Sequence, residues 1–466
     1  MSPARCLVLL AAAVAAAVAA PTAAFASASG SARGWSVAQD ILPNRCCASP
    51  VAIASNARGD AVAVFSEGGG LTIARARANR RFGQRVRIAS ASYSEARVAI
   101  DQRGVALVAF TFEDGSTPPA REDRFGMSGC CTGVRVVVWR PGQRPTTARA
   151  IFARGTSSVL GAVAATHGRR GVLVAGDPSR PEHDLRPTAP VRLVTVGLDG
   201  RIGARRTVAN RSWTPTTLQW VGRRAVAGLM RNGGGGRLDL GIARQGSGSA
   251  FLPAKRFARF ARVPDPLRGS EVEMTADGRG GQVAVWRRVT RSGLRLVVAR
   301  ASLGGQLRTN VVGRGFPAAL TIAAPAVASD GGIVVPWGQV DADRSRSAHV
   351  TTRSPRGALA TRRILAPTRT TGPGLAFDSL AAAAAPGGRG AVAVDRTVGF
   401  SARTRLVGLR GGRPATGTVL DLRTGPTGHR TLLTGNRRDP ARALFEFTRV
   451  SPTISDHRVR ERRLRP

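Results

Sequence analysis

An all-β fold is predicted, a β-propeller of about eight four-stranded blades whose ring is closed by N- and C-terminal strands sharing one blade; seven blades is the alternative. Three observations predict it. First, one phrase keeps returning: a short apolar run, a polar turn with Arg or Gly, and a second apolar run that often ends on an aromatic. It reads VAIASNARGDAVAVF at 51–65, VAIDQRGVALVAF at 98–110, MTADGRGGQVAVW at 274–286 and AVASDGGIVVPW at 326–337. Second, the residue opening each second run marks a period: Gly59, Gly104, Gly171, Arg224, Gly280, Gly331 and Gly390 lie about 50 residues apart with no helical pattern between them. Third, the two chain ends complement each other, as set out below.

Within a unit the runs have different characters. The first two are continuous and apolar, as expected of strands near the axis that neighbouring blades cover on both faces. The sixth residue after the marker is aromatic in the clearest units (Phe65, Phe110, Trp286, Trp337), while Asp177 and Arg396 take that place in two others. A third run is richer in β-branched residues and often alternates with Arg: LTIARAR (71–77), VRVVVW (134–139), VRLVTV (191–196), LDLGIA (238–243), LRLVVA (294–299), AHVTTR (348–353) and RLVGLR (405–410). A fourth, weaker run follows a turn, as in GQRVRIA (83–89) and GTVLDL (417–422). Alternation with Arg fits outer strands that face solvent on one side.

The ends fit the same scheme. Residues 431–449 read as two strands of a last unit and His457–Leu464 as its third. Gly34–Leu42 reads as a fourth strand with no unit of its own, so one shared blade satisfies both and leaves no open edge. Residues 1–26 read as a signal peptide: Arg5 is the positive start, Leu7–Ala20 the apolar stretch, and Ala24-Phe25-Ala26 the cleavage site. The expected organisation is thus signal peptide 1–26, short linker 27–33, one propeller domain 34–456, and 457–466 as a basic tail or last outer strand. A secreted, extracellular monomer without a transmembrane anchor is expected.

Charge is the strongest compositional feature. Lys and Arg number 70 against 28 Asp and Glu, giving a formal +42, and Lys255 is the single Lys. The arginines run along the whole chain instead of forming one arm, which argues against specific nucleic-acid binding and for a diffuse cationic surface. With turns such as 56-NARG-59, 101-DQRG-104 and 277-DGRG-280, the chain resembles secreted bacterial β-propeller repeat proteins of GC-rich organisms. That resemblance covers nearly the whole mature chain and implies architecture, with no activity attached.

Catalytic motifs are absent: there is no G-x-S-x-G, G-x-x-x-x-G-K, G-x-G-x-x-G or H-E-x-x-H, and the five His lie far apart. No catalytic residue, cofactor or metal is expected. Two features stand out. Cys46-Cys47 and Cys130-Cys131 form vicinal pairs; disulfides joining the pairs are the favoured reading, with vicinal disulfides or a four-cysteine metal site as alternatives. The connections 111–133, 176–190 and 338–347 hold nine of the 28 acids, which makes them a candidate ligand-binding face. Its residues are Glu113, Asp114, Glu122, Asp123, Asp177, Glu182, His183, Asp184, Asp341 and Asp343, with Tyr93 and Trp213 as stacking surface. The expected function is binding of an extracellular glycan, cell-wall polymer or protein. A hydrolase or lyase using acids near the axis, or a structural surface protein, are the alternatives.

Overall fold

The computed structural model describes residues 35–42, 48–90, 95–113, 132–151, 158–176, 190–210, 212–233, 235–261, 272–291, 293–315, 320–340, 345–355, 357–369, 379–398, 401–425, 431–438, 440–450 and 455–464. These form eight antiparallel sheets, and the first strand of each sheet packs beside that of the next until the eighth meets the first. The protein is an eight-bladed β-propeller.

Blade 1 shows how the repeat becomes a sheet. Ser49–Ser55, Ala61–Glu67, Gly70–Ala76 and Arg85–Ala89 pair in chain order. Ala61 to Phe65 have no solvent exposure, because the second strand is covered on both faces. The outermost strand, RVRIA, has exposed and half-buried positions and carries its arginines outward. The marker glycine is a backbone requirement: Gly59 has φ +93°, and a Cβ there would lie 2.8 Å from Ala78 Cβ. The later blades repeat this plan, with the aromatics Phe110, Trp286 and Trp337 buried like Phe65. Blade 6 departs from it. Its first strand is split into Leu320–Ile322 and Ala326–Val327, and Pro325, which has no N–H to give the ladder, lies in the break.

The core is distributed over the seams. Eight buried clusters each join one blade to its neighbour; Val62, Val64 and Ile73 of blade 1, for example, meet Ala106, Val108 and Phe110 of blade 2. Burying Ala, Val and Leu over eight such seams replaces one large aromatic centre.

The closing blade is built from both ends of the chain: Leu432–Thr434, Ala441–Val450, Ser455–Leu464 and, as outermost strand, Gln39–Leu42. Ser455–Leu464 is therefore the third strand of a blade and not a tail. Asp40 lies opposite Arg460 and receives Arg460 Nε at 2.7 Å and Arg458 Nη1 at 2.8 Å. Inside the blade, Arg442 and Glu461 form a buried pair at 3.1 Å. Trp35 is 1% exposed, sits among Leu420, Leu422 and Leu464, and donates Nε1–H to Thr418 O of blade 7 at 2.7 Å.

Candidate functional site

Strand direction sorts the connections into two faces. Turns between first and second strands, and between third and fourth, emerge on one face; second-to-third connections and the links between blades emerge on the other. Most of the sequence-predicted site lies outside the described residues: Tyr93, Asp114, Glu122, Asp123, Asp177, Glu182, His183, Asp184, Asp341, Asp343, and the cysteines Cys46, Cys47, Cys130 and Cys131. Glu113 ends a second strand, its backbone opposite Thr132. Trp213 corrects the stacking expectation. It is 4% exposed, packed against Gly241, and covered by Arg231 with its guanidinium carbon 4.5 Å from the ring centre. The link carrying Trp213 turns the indole into the seam between blades 3 and 4, so it offers a ligand no surface.

The first face is described in detail, and one arrangement recurs on it. In the turn between first and second strands, an Asx side chain folds back onto the turn's own amides. Asp101 Oδ1 accepts from Arg103 N and Val105 N, both at 2.8 Å. Asp277 Oδ1 accepts from Arg279 N at 2.8 Å and Gly281 N at 2.7 Å. Asn56 does the same with Arg58 N and Asp60 N at 3.0 Å, and Asn436 with Arg438 N at 2.9 Å. These four Asx side chains are all buried. The residue two positions later is an arginine each time, and the turn geometry sends it to the surface: Arg58, Arg103, Arg279 and Arg438 are exposed.

The turns are also tied to one another across every seam. Arg58 Nη1 donates to Gln102 O at 3.3 Å, Arg169 Nη1 to Arg223 O at 2.7 Å, Arg279 Nη2 to Ser329 O at 3.3 Å, and Arg389 Nη2 to Arg437 O at 2.9 Å. The remaining seams use Arg170 with Asp101 at 3.7 Å, Gln219 Nε2 to Gly281 O at 2.7 Å, Gly387 N to Asp330 Oδ2 at 2.8 Å, and Ser55 with Thr434 at 2.8 Å. A guanidinium has five N–H donors, so a single bond to a carbonyl fixes its position and leaves others facing water. The guanidiniums of Arg58 and Arg279 are held this way, and the exposed Arg103, Arg223, Arg437 and Arg438 of the same turns complete a ring of cations around the axis. Asp101, Asp277 and Asp330 of these turns direct their oxygens at amides, at Arg300 of the same blade or at neighbouring blades, and not at the exposed arginines. The signal was present in the sequence as Asx-x-Arg-Gly, but only the topology shows that all such turns share one face.

Chemistry of the hydrolytic kind has little support among the described residues. Ser347 Oγ lies 3.0 Å from His349 Nε2, yet Ser347 is fully buried and His349 stacks on Trp337 at 4.3 Å between ring centres. A sealed hydroxyl cannot attack a substrate. Asp239, also buried, is held by Arg259 and Arg231, with the Arg259 hydrogen bond the largest influence lowering its pKa to about 2. It is a structural carboxylate. No group of three His, Cys, Asp or Glu side chains placed to hold a metal ion occurs among the described residues, and no helix there is long and apolar enough to cross a membrane.

No protein-family model and no curated protein matches the chain. Among solved structures, similarity is found to a Dyadobacter fermentans protein of unknown function at 12% identity and TM-score 0.36, covering 80% of this chain and 95% of that one. A prolyl endopeptidase matches at 11% identity and TM-score 0.45 over 87% of this chain and 55% of its own length. An apocarotenoid oxygenase from Synechocystis matches at 9% identity and TM-score 0.40, over 70% of this chain and 73% of its own.

Proposed function

We propose that the protein is an exported binding scaffold whose arginine-ringed face holds an extracellular anionic partner, an acidic glycan or cell-wall polymer. One observation carries the reading: the Asx side chains of the face are turned inward onto their own amides while the arginines beside them are exposed, Arg58 and Arg279 each tied to the next blade. Random enrichment in Arg raises the charge of a surface, but it does not turn that surface's acids inward. Guanidinium forks match the oxygens of sulfate, phosphate or carboxylate groups, and turns already held by the propeller lose little backbone entropy when they bind. Export rests on the sequence of residues 1–26, and an oxidising destination would pair Cys46 and Cys47 with Cys130 and Cys131 as structural disulfides.

Arginine labelling with phenylglyoxal, read by mass spectrometry with and without dextran sulfate as the probe, tests the reading. Protection is expected at Arg58, Arg103, Arg223 and Arg437, with uncharged dextran giving none. Arg237, Arg288 and Arg291 are exposed near the opposite face and should stay reactive. Equal protection of both sets would mean diffuse charge and no binding face.

A further inference from the structure

The geometry points to a discrete oxyanion site in a pocket between blades 5 and 6, formed by Arg279, Arg300, Arg308 and Arg353 and suited to a phosphate or sulfate group. This goes beyond a polymer held on the ring, because it assigns one discrete, half-open site with its own donors. The pocket has a volume of about 300 Å³, within the ~300–1,000 Å³ range of small-molecule sites. Blade 5 supplies Arg279 from its first turn, Arg300 from the end of its third strand and Arg308 from the start of its fourth; blade 6 supplies Arg353 from the end of its third strand.

The pocket holds four guanidiniums and one carboxylate, Asp277, whose capacity is already used. Its Oδ1 takes two backbone amides, and its Oδ2 takes Arg300 Nε at 3.1 Å and Nη2 at 2.9 Å. Arg279, Arg308 and Arg353 gain no counter-charge from it. Arg353 brings an unmet donor to the pocket. Its Nε is buried with no acceptor among the described residues, and burial, with Arg300 and Arg308 nearby, lowers its pKa. A bound oxyanion would supply that acceptor and offset the repulsion among three like charges. Ser302 adds a neutral donor, since its Oγ already accepts from Gln306 N at 3.2 Å and its proton is free to turn into the pocket. Leu303 forms an apolar wall that would contact the carbon side of an ester.

The site is tested by calorimetric titration of inorganic phosphate, sulfate and glucose 6-phosphate into the full mature protein in chloride buffer. Wild type should bind with saturation, and Arg353→Gln and Arg308→Gln should each weaken binding roughly tenfold or more, the scale of one charge-assisted hydrogen bond. Arg308 is exposed, so its variant keeps the test independent of folding. Arg237→Gln, exposed near the opposite face, should bind phosphate as wild type does. Tighter binding of the sugar phosphate would support the site with an ester as ligand, and tighter binding of the free ions would support it with a free oxyanion. Absence of saturable binding, or equal affinity in wild type and both pocket variants, overturns it. If phosphate fails while dextran sulfate still protects the ring arginines, the pocket inference falls and the binding-face reading stands; the reverse result separates them the other way.

Discussion

Replacing Trp35 with Ala tests how the two chain ends close the ring. Trp35 is 1% exposed, fills the seam between blades 7 and 8, and satisfies Thr418 O with its indole N–H. Truncating a buried Trp to Ala costs about 3–5 kcal/mol, and an orphaned carbonyl places this site in the upper part of that range. The ring spans about 430 residues, and at ~2.1 cal/mol/K per residue its unfolding entropy is about 0.9 kcal/mol/K, so Tm should fall by roughly 4–5 °C if the ring melts as one unit. Calorimetry measures the fall, and native-state hydrogen exchange locates it: amides of Ser455–Leu464 and of 418–422 should lose protection before those of blades 2 to 4. An unchanged Tm, or uniform loss of protection around the ring, would refute the claim that Trp35 anchors the closing blade.

Three further outcomes follow from individual residues. Gly59→Ala should cost about 1–2 kcal/mol from its left-handed φ and more from the 2.8 Å approach to Ala78, whereas Gly68→Ala, at φ +52° with open space around it, should cost only the first part; equal Tm losses would remove the clash from the account. Asp239 has its carboxyl lowered, chiefly by Arg259, so its contribution is present above the unfolded carboxylate range and lost as pH falls toward about 2. Asp239→Asn should therefore lose about 1–2 kcal/mol in urea denaturation at pH 7, allowing for the half-exposed arginines, with the gap closing toward pH 2. Burial pushes the Asp395 carboxyl up, with Ser379, Thr404 and Thr431 donating against that shift, so the sign is opposite: stability is highest below the unfolded value and falls as pH rises through the folded one. Asp395→Asn should gain Tm relative to wild type as pH rises above the unfolded carboxylate range, and a pH-independent gap would show that the carboxyl is not raised.

The architecture was legible because each blade needs the same residues for the same reasons. Runs such as AVAVF and ALVAF are apolar throughout because neighbouring blades cover both faces, and Gly59, Gly104 and Gly280 recur because those turns require positive φ. GWSVAQDIL was readable as a fourth strand because a lone strand at one end matched a three-stranded unit at the other. The arginine ring was less legible. Arg is frequent everywhere in this chain, and sequence alone does not say that Arg58, Arg223 and Arg437 lie on one face or that Asp101 points inward. The acids were weighed by their number in long connections, whereas the described face depends on where short turns aim their side chains. Trp213 misleads for a related reason: a link residue looks exposed until the next blade closes over it.

The most direct test of the proposed binding face is the affinity of the protein for dextran sulfate as salt is raised, compared with a variant carrying Arg58→Gln, Arg103→Gln, Arg223→Gln and Arg437→Gln. At ~0.5–1 kcal/mol per exposed contact, the four changes should weaken binding by about 2 kcal/mol or more, roughly thirtyfold, and flatten the salt dependence. The same affinity and the same slope in both proteins, with the variant folded, would contradict the arginine ring as the binding face.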